Sequence, residues 1–306
     1  MRAYFLRRLG YSVITLFILA VTIFALVRLT GDPALLLTPE GATEADRAAI
    51  RAELGTDRPI PVQFLDFLGD VVTLDFGLSF NLKQPVTDLY FDRLPNSLLL
   101  VSSALLFAMA IGIPTGIISA VYGGRAADQA SKTFALTGMS IPGFVLGLGM
   151  MYVFANQLRW LPTNGMGSWK HLIMPTIALG WYFAASILRL VRSSMLDVLG
   201  TDFVKLARLK GMSERRVMIG HAFRNVLIPL ITLLGVNFVV MINAATVIEV
   251  VFVWPGLGSL LLEGIQQRDF PLVQGVVVLA GVVIIFVNFA VDMLYAWVDP
   301  RIRLAR

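Results

Sequence analysis

Cysteine is absent from this chain of 306 residues, which excludes disulfides, thiolate metal sites and a cysteine nucleophile. Histidine is nearly absent as well. His171 and His221 are the only two, too few for a histidine-rich metal cluster. Charge is scarce: Asp, Glu, Lys and Arg together make up 15% of the residues, against about 25% in an ordinary soluble domain. No Gly-x-x-x-x-Gly-Lys-Ser/Thr run occurs, so the phosphate-cradling loop of the P-loop ATPases is missing. A His-Glu-x-x-His helix and the serine–histidine or paired-aspartate sets of intramembrane proteases are missing too. No catalytic residue and no metal ligand is therefore assigned. The net charge is +5, but no basic face with interleaved aromatics accompanies it, which argues against nucleic acid as a partner.

Apolar residues dominate, at 57% of the chain, which points to a polytopic membrane protein of the all-α class with the lipid bilayer as its surroundings. Six stretches have the length and polarity of transmembrane helices: 9–29, 97–122, 133–156, 172–191, 226–248 and 272–298. The first follows a basic start, MRAYFLRR. It runs for about 20 residues, longer than the ~7–15 of a signal-peptide core, and is expected to stay as an anchor. Arg2, Arg7, Arg8, Arg125, Lys132, Arg189, Arg192, the basic residues of 203–224 and Arg301, Arg303 and Arg306 would all share one side, whereas the short loops opposite hold only Arg159, Lys170 and Arg268. The positive-inside rule places the first side, with both termini, in the cytoplasm. Residues 30–96 are then external. Within them ATEADRAAIRAELG predicts a short helix ending at Gly55, and PIPVQFLDFLGDVVTLDFG an amphipathic helix with a proline start. This divides the chain into 1–95 (first span plus external segment), 96–300 (transmembrane domain) and 301–306 (cytoplasmic tail).

Several residues inside the spans invite two readings. Gly112-x-x-x-Gly116 and Gly143-x-x-x-Gly147 read as close helix-packing surfaces rather than cargo contacts. Pro114 and Pro142 are candidate kinks. Asn237 and Asn243 either line a passage or bond to neighbouring helices. Asn288 and Asp292, four apart in the last span, pose the same choice. Trp254-Pro255-Gly256-x-Gly258 makes an external turn that serves either a partner or its own rigidity.

The most basic stretch is FVKLARLKGMSERRVMIGHAFRNVLIP, residues 203–229, within a cytoplasmic region of about 197–228. Asp197 and Asp202 early and Lys210, Arg215 and Arg216 later suit a helix dipole. Ala207 and Gly211 stand four apart, so a continuous helix would stack them into a smooth surface that another backbone can approach. Gly211 also suits a helix end, with Ser213, Glu214 and Arg215 opening the next helix. The segment is too polar for the bilayer and too structured for a linker. A docking element and an amphipathic helix held by lipid phosphates both fit it.

Ala207-x-x-x-Gly211, followed by His221-x-x-x-Asn225 and Pro229, resembles the "EAA" loop of ABC importer permeases. The run LARLKGMSERRVMIGHAFRNVLIP is similar to the first permease subunit of the dipeptide and oligopeptide transporter family. TGDPA, LDFGLSF, EVVFVWPGLGSLLLEGIQQRDFPLVQG and VNFAVDMLYAWVDPRIR agree with it in order, covering nearly the whole chain. The signature triplet departs: Leu206-Ala207-Arg208 keeps only the alanine. The resemblance implies a type I ABC importer transmembrane fold in a bacterial inner membrane. It further implies a second homologous permease, two cytoplasmic ATPase subunits and an extracytoplasmic solute-binding protein as partners. This chain would carry no cofactor, with ATP and Mg held by the ATPases. By the same resemblance Ala207, Gly211, Met212, Ser213, Glu214, Arg215, Arg216, His221, Arg224, Asn225 and Pro229 form the ATPase-coupling loop. The implied cargo is peptides or similar small solutes, with a nickel chelate, glutathione or an oligosaccharide as alternatives. A self-sufficient secondary transporter is the rival reading; it would show internal repeats, and none is evident.

Overall fold

The computed structural model describes residues 2–29, 43–53 and 55–298. Among them the chain is helical throughout, apart from loops and one isolated antiparallel bridge between Leu78 and Pro85. The helices are α1 (Arg2–Leu29), α2 (Glu44–Glu53), α3 (Ile60–Thr73), α4 (Val86–Val121), α5 (Ala126–Ser140), α6 (Gly143–Met150), α7 (Trp169–Leu199), α8 (Asp202–Leu209), α9 (Phe223–Val251), α10 (Leu257–Gln266) and α11 (Phe270–Val298). Wider π-helical stretches, Met151–Gln157 and Arg216–Ala222, follow α6 and lead into α9.

The helices expected in the external segment are present. Thr43 caps α2 by accepting from the Asp46 N–H, while the Asp46 carboxylate accepts from Thr43 N. This is the reciprocal pattern that satisfies orphan donors at a helix start. Gly55 follows with φ +64, and α3 opens with proline in its first turn. Motif residues 30–34 and everything after Val298 lie outside the described residues.

Five of the six predicted spans are single helices long and apolar enough to cross a bilayer. The stretch predicted as one span over 133–156 is instead a broken pair: Ala126–Ser140 and Gly143–Gln157 meet at 99°. The break has a local cause. Ile141, which precedes Pro142, is extended (φ −97, ψ 116), and Pro142 caps the next helix. A residue before proline is pushed out of the helical region, and proline itself has no N–H to continue the ladder. Pro114, by contrast, sits within the unbroken α4.

The described residues fall into two compact units. One comprises 1–95 with 259–289, the other 96–258 with 290 onward. In the first, Phe64 and Phe67 of α3 pack on Phe24 of α1, with ring centroids 5.2 and 5.7 Å away. The Arg28 guanidinium reaches Gln63 Oε1 at 2.8 Å. Buried Asp269 accepts from Ser79 Oγ (2.6 Å), the Asn81 N–H and the Leu272 N–H, tying 79–81 to the start of α11.

The second unit is built around α7. Its buried face, from Met174 through Ala178, Phe183, Ala184, Ile187 and Val191 to Met195, forms the centre of the main core. Glycines let its neighbours come close. A Cβ added at Gly112 of α4 would stand 2.6 Å from the Ala184 carbonyl, and one at Gly143 of α6 2.6 Å from the Ala178 carbonyl. Gly116 and Gly147 are nearly as tight, an added Cβ standing 2.8 Å from Val191 Cβ and 2.9 Å from the Phe252 ring. The paired glycines are thus packing surfaces, which suits a setting where helices associate by backbone proximity rather than by burial from water.

Candidate functional site

Residues 202–229 lie wholly within the second unit. The chain leaves α7 at Gly200, and α8 opens with Asp202 in its first turn, where a negative charge complements the positive end of the helix. α8 ends in a Schellman turn: the Gly211 N–H donates to the Arg208 carbonyl (2.9 Å) and the Met212 N–H to the Ala207 carbonyl (3.3 Å). Gly211 sits there at φ +76, the left-handed conformation this turn requires.

This geometry corrects one expectation. Ala207 and Gly211 do not form a shared exposed surface, because the helix ends between them. Ala207 is 8% exposed and packs inward with Val204 and Val217, beneath Val198, Leu199 and Met212. Gly211 alone is bare, with nothing within 4 Å of a Cβ added to it. The outer face is apolar instead: Phe203, Leu206 and Leu209, three residues apart, are 46%, 52% and 84% exposed. Lys205, Lys210, Arg215 and Arg216 are exposed as well, with Lys205 paired to the exposed Asp202 at 2.9 Å.

A bidentate pair spans the turn, with Arg208 Nε and Nη2 donating to Glu214 Oε1 and Oε2 at 2.9 and 3.3 Å. Both side chains are largely exposed, so the pair contributes no more than about 1 kcal/mol, but its fork geometry fixes the loop's outline. The Ser213 carbonyl accepts from the Arg216 and Val217 N–H groups, so Ser213 stands at the start of the second helix as expected. From there the chain runs through the π-helical stretch Arg216–Ala222 into α9 without interruption. Single π-helical turns inside α-helices are frequent at functional sites. The His221–Asn225 motif acts through the backbone: Asn225 Nδ2 donates to the His221 carbonyl at 2.8 Å. Arg224 is exposed, and Pro229 lies half-buried within α9.

The span residues separate. Asn237 is 6% exposed and its Nδ2 finds no partner among the described residues. Asn243 is exposed and donates to the Val239 carbonyl of its own helix at 3.2 Å. Asn288 is half-buried in α11, while the side chain of Asp292 lies outside the described ones. At the far end of α9, Glu249 is buried and accepts from Ser97 Oγ (2.5 Å) and the Gly258 N–H (2.7 Å). Trp254 Nε1 donates to the Asn96 carbonyl. The Trp254–Gly258 turn is thus knotted onto the start of the second span.

A feature with little local sequence signal is the buried Asp128, which accepts from Ser119 Oγ, the Gly124 N–H, Lys132 Nζ and Arg192 Nε at 2.6, 2.9, 2.8 and 2.9 Å. It joins the ends of α4, α5 and α7 from positions 119 to 192. Only the Asp128–Lys132 spacing, four apart on one helix, was visible in the sequence.

The described residues include several helices of membrane-spanning length and apolarity, and comparison with known proteins supplies the family. Residues 112–304 match the family described as "Binding-protein-dependent transport system inner membrane component", and 1–104 match the corresponding N-terminal family. The chain belongs to this family, as a transmembrane permease subunit of an ABC importer. It is 40% identical over 301 residues, 98% of each chain, to the glutathione transport system permease protein GsiC of Shigella flexneri and of Escherichia coli. Among solved structures it resembles the MetNI methionine ABC transporter in an inward-facing conformation (TM-score 0.57, 18% identity, 69% of this chain and 96% of that one). It also resembles an amino acid ABC transporter with histidines (TM-score 0.55, 15% identity, 68% and 94%). The two structural likenesses establish the type I importer fold, and the family match with the apolar helices establishes a multi-pass inner-membrane protein.

Proposed function

We propose that residues 202–229 are the element through which ATP hydrolysis on separate subunits drives this permease, and that its cargo is short peptides, glutathione among them. The observation that carries the reading is the row Phe203, Leu206 and Leu209, exposed on α8 above that helix's own buried core. An apolar row outside a span, on a segment that also carries exposed cations, suits a groove on a partner protein. The uninterrupted helix from Arg216 to Val251 would carry a displacement of the loop into the membrane. The ATPase must contact the loop differently in the two transport states, since equal affinity for both would shift neither.

In this reading the basic side is cytoplasmic, with both termini there. The complete importer adds a second homologous permease, two ATPase subunits that hold ATP and Mg, and an extracytoplasmic binding protein. GsiC, named for glutathione transport, supports a small peptide as cargo. The test is Leu206→Asp with Leu209→Asp. Both sites are exposed, so folding and membrane insertion should persist while cargo uptake and binding-protein-stimulated ATP hydrolysis are lost together. Unchanged uptake in the double variant would remove the loop from the coupling path.

A further inference from the structure

A cavity of about 400 Å³ opens between α5 and α7. Its floor is apolar: Ala135, Leu136 and Met139 on α5, and Leu188 on α7. Lys132, Arg189 and Arg192 stand over it. These cations are not fully spent within the protein. Lys132 and Arg192 share the single carboxylate of Asp128, and Arg189 makes no ion pair among the described residues and is exposed. Three positive charges against one negative leave an excess of two beside an apolar trough. The trough follows α5 from Lys132 to Met139, about 10 Å at 1.5 Å per residue. It lies toward the end of α7 that leads into the 202–229 loop.

We propose that this groove binds one anionic phospholipid, an acyl chain lying on Leu136, Met139 and Leu188 and the phosphate meeting Arg189 with Arg192 and Lys132. Basic pockets between transmembrane helices on the cytoplasmic side suit such headgroups, and an unscreened guanidinium beside apolar surface takes a phosphate oxygen pair with both charge and geometry. A zwitterionic lipid, which brings its own cation, loses this advantage. Placing the site in the cytoplasmic leaflet rests on the orientation given above; binding itself does not.

The experiment is native mass spectrometry of the assembled importer, titrated with phosphatidylglycerol or with phosphatidylcholine. The wild type should retain one more phosphatidylglycerol per permease than phosphatidylcholine. Arg189→Ala should lose that lipid without altering phosphatidylcholine, and Leu136→Trp, which fills the trough, should lose it as well. Equal retention of both lipids, or full retention in both variants, would overturn the proposal. So would displacement of the lipid by inorganic phosphate alone, or a Leu136→Cys variant that crosslinks to the second permease, since the groove would then be an ion site or a subunit interface. The ATPase subunits are counted in the same spectra, so failure of the coupling reading is seen separately from failure of this one.

Discussion

Single residues set the shape of the 202–229 loop. Gly211 is held at φ +76 with open space around it, so a side chain there costs conformational strain rather than a clash. Gly211→Ala should destabilise the turn by about 1 kcal/mol, and Gly211→Asn by less, since asparagine tolerates the left-handed region. Hydrogen exchange of the amides at 207–214 checks this: exchange should be fastest in the alanine variant and intermediate in the asparagine one. A bulky residue at Gly211 would mix strain with steric exclusion, which is why Leu206 and Leu209 make the cleaner functional test. In the segment between the first two spans Asp70 is exposed on α3, yet partial desolvation, helped by Asp75 and Asp66, pushes its carboxyl above its ordinary range, an effect that solvent keeps small. A raised acid binds its proton more tightly in the folded state, so stability rises as pH falls from the folded pKa toward the unfolded value of about 3.9. Asp70→Asn should therefore raise the melting midpoint at neutral pH, and that gain should shrink as the pH is lowered through the same interval. A constant gain across pH would contradict the assignment.

At the scale of elements, close approach to α7 organises the second unit. Gly112→Leu would drive a side chain into the Ala184 carbonyl and Ile187. Overpacking of this kind costs about 1–3 kcal/mol or more, and the variant should lose its folded fraction on mild heating in detergent. Gly149, which has nothing within 4 Å of an added Cβ, should tolerate Ala with no such loss. The packing glycines were legible from their spacing, because a four-residue repeat stacks on one helical face. The span lengths were legible because hydropathy reports composition. What hydropathy cannot report is the path: it reads 133–156 as one straight helix, whereas the backbone breaks at Pro142 and the two halves meet at 99°. Periodicity likewise placed Ala207 over Gly211 only for a helix that continues, and the Schellman turn ends it first. The Asp128 cluster was invisible for a different reason, since Ser119, Asp128 and Arg192 come together only once three helices pack.

For the whole molecule, the chain belongs to a family of importer permeases, and it was the resemblance of its 203–229 stretch to the loop of those permeases that implied work arriving from another subunit. The central claim is that the exposed face of α8 meets an ATP-binding subunit. Because the chain has no cysteine, Leu209→Cys gives one unique attachment point for a thiol-linked photocrosslinker, and Leu106→Cys, exposed on α4 within a span, serves as control. Irradiation of the transport-competent importer should join Leu209→Cys to the ATPase, with a yield that changes between nucleotide-free and ATP-trapped states, while the control captures none. An importer that still moves cargo but never yields the ATPase adduct from position 209 would contradict the account.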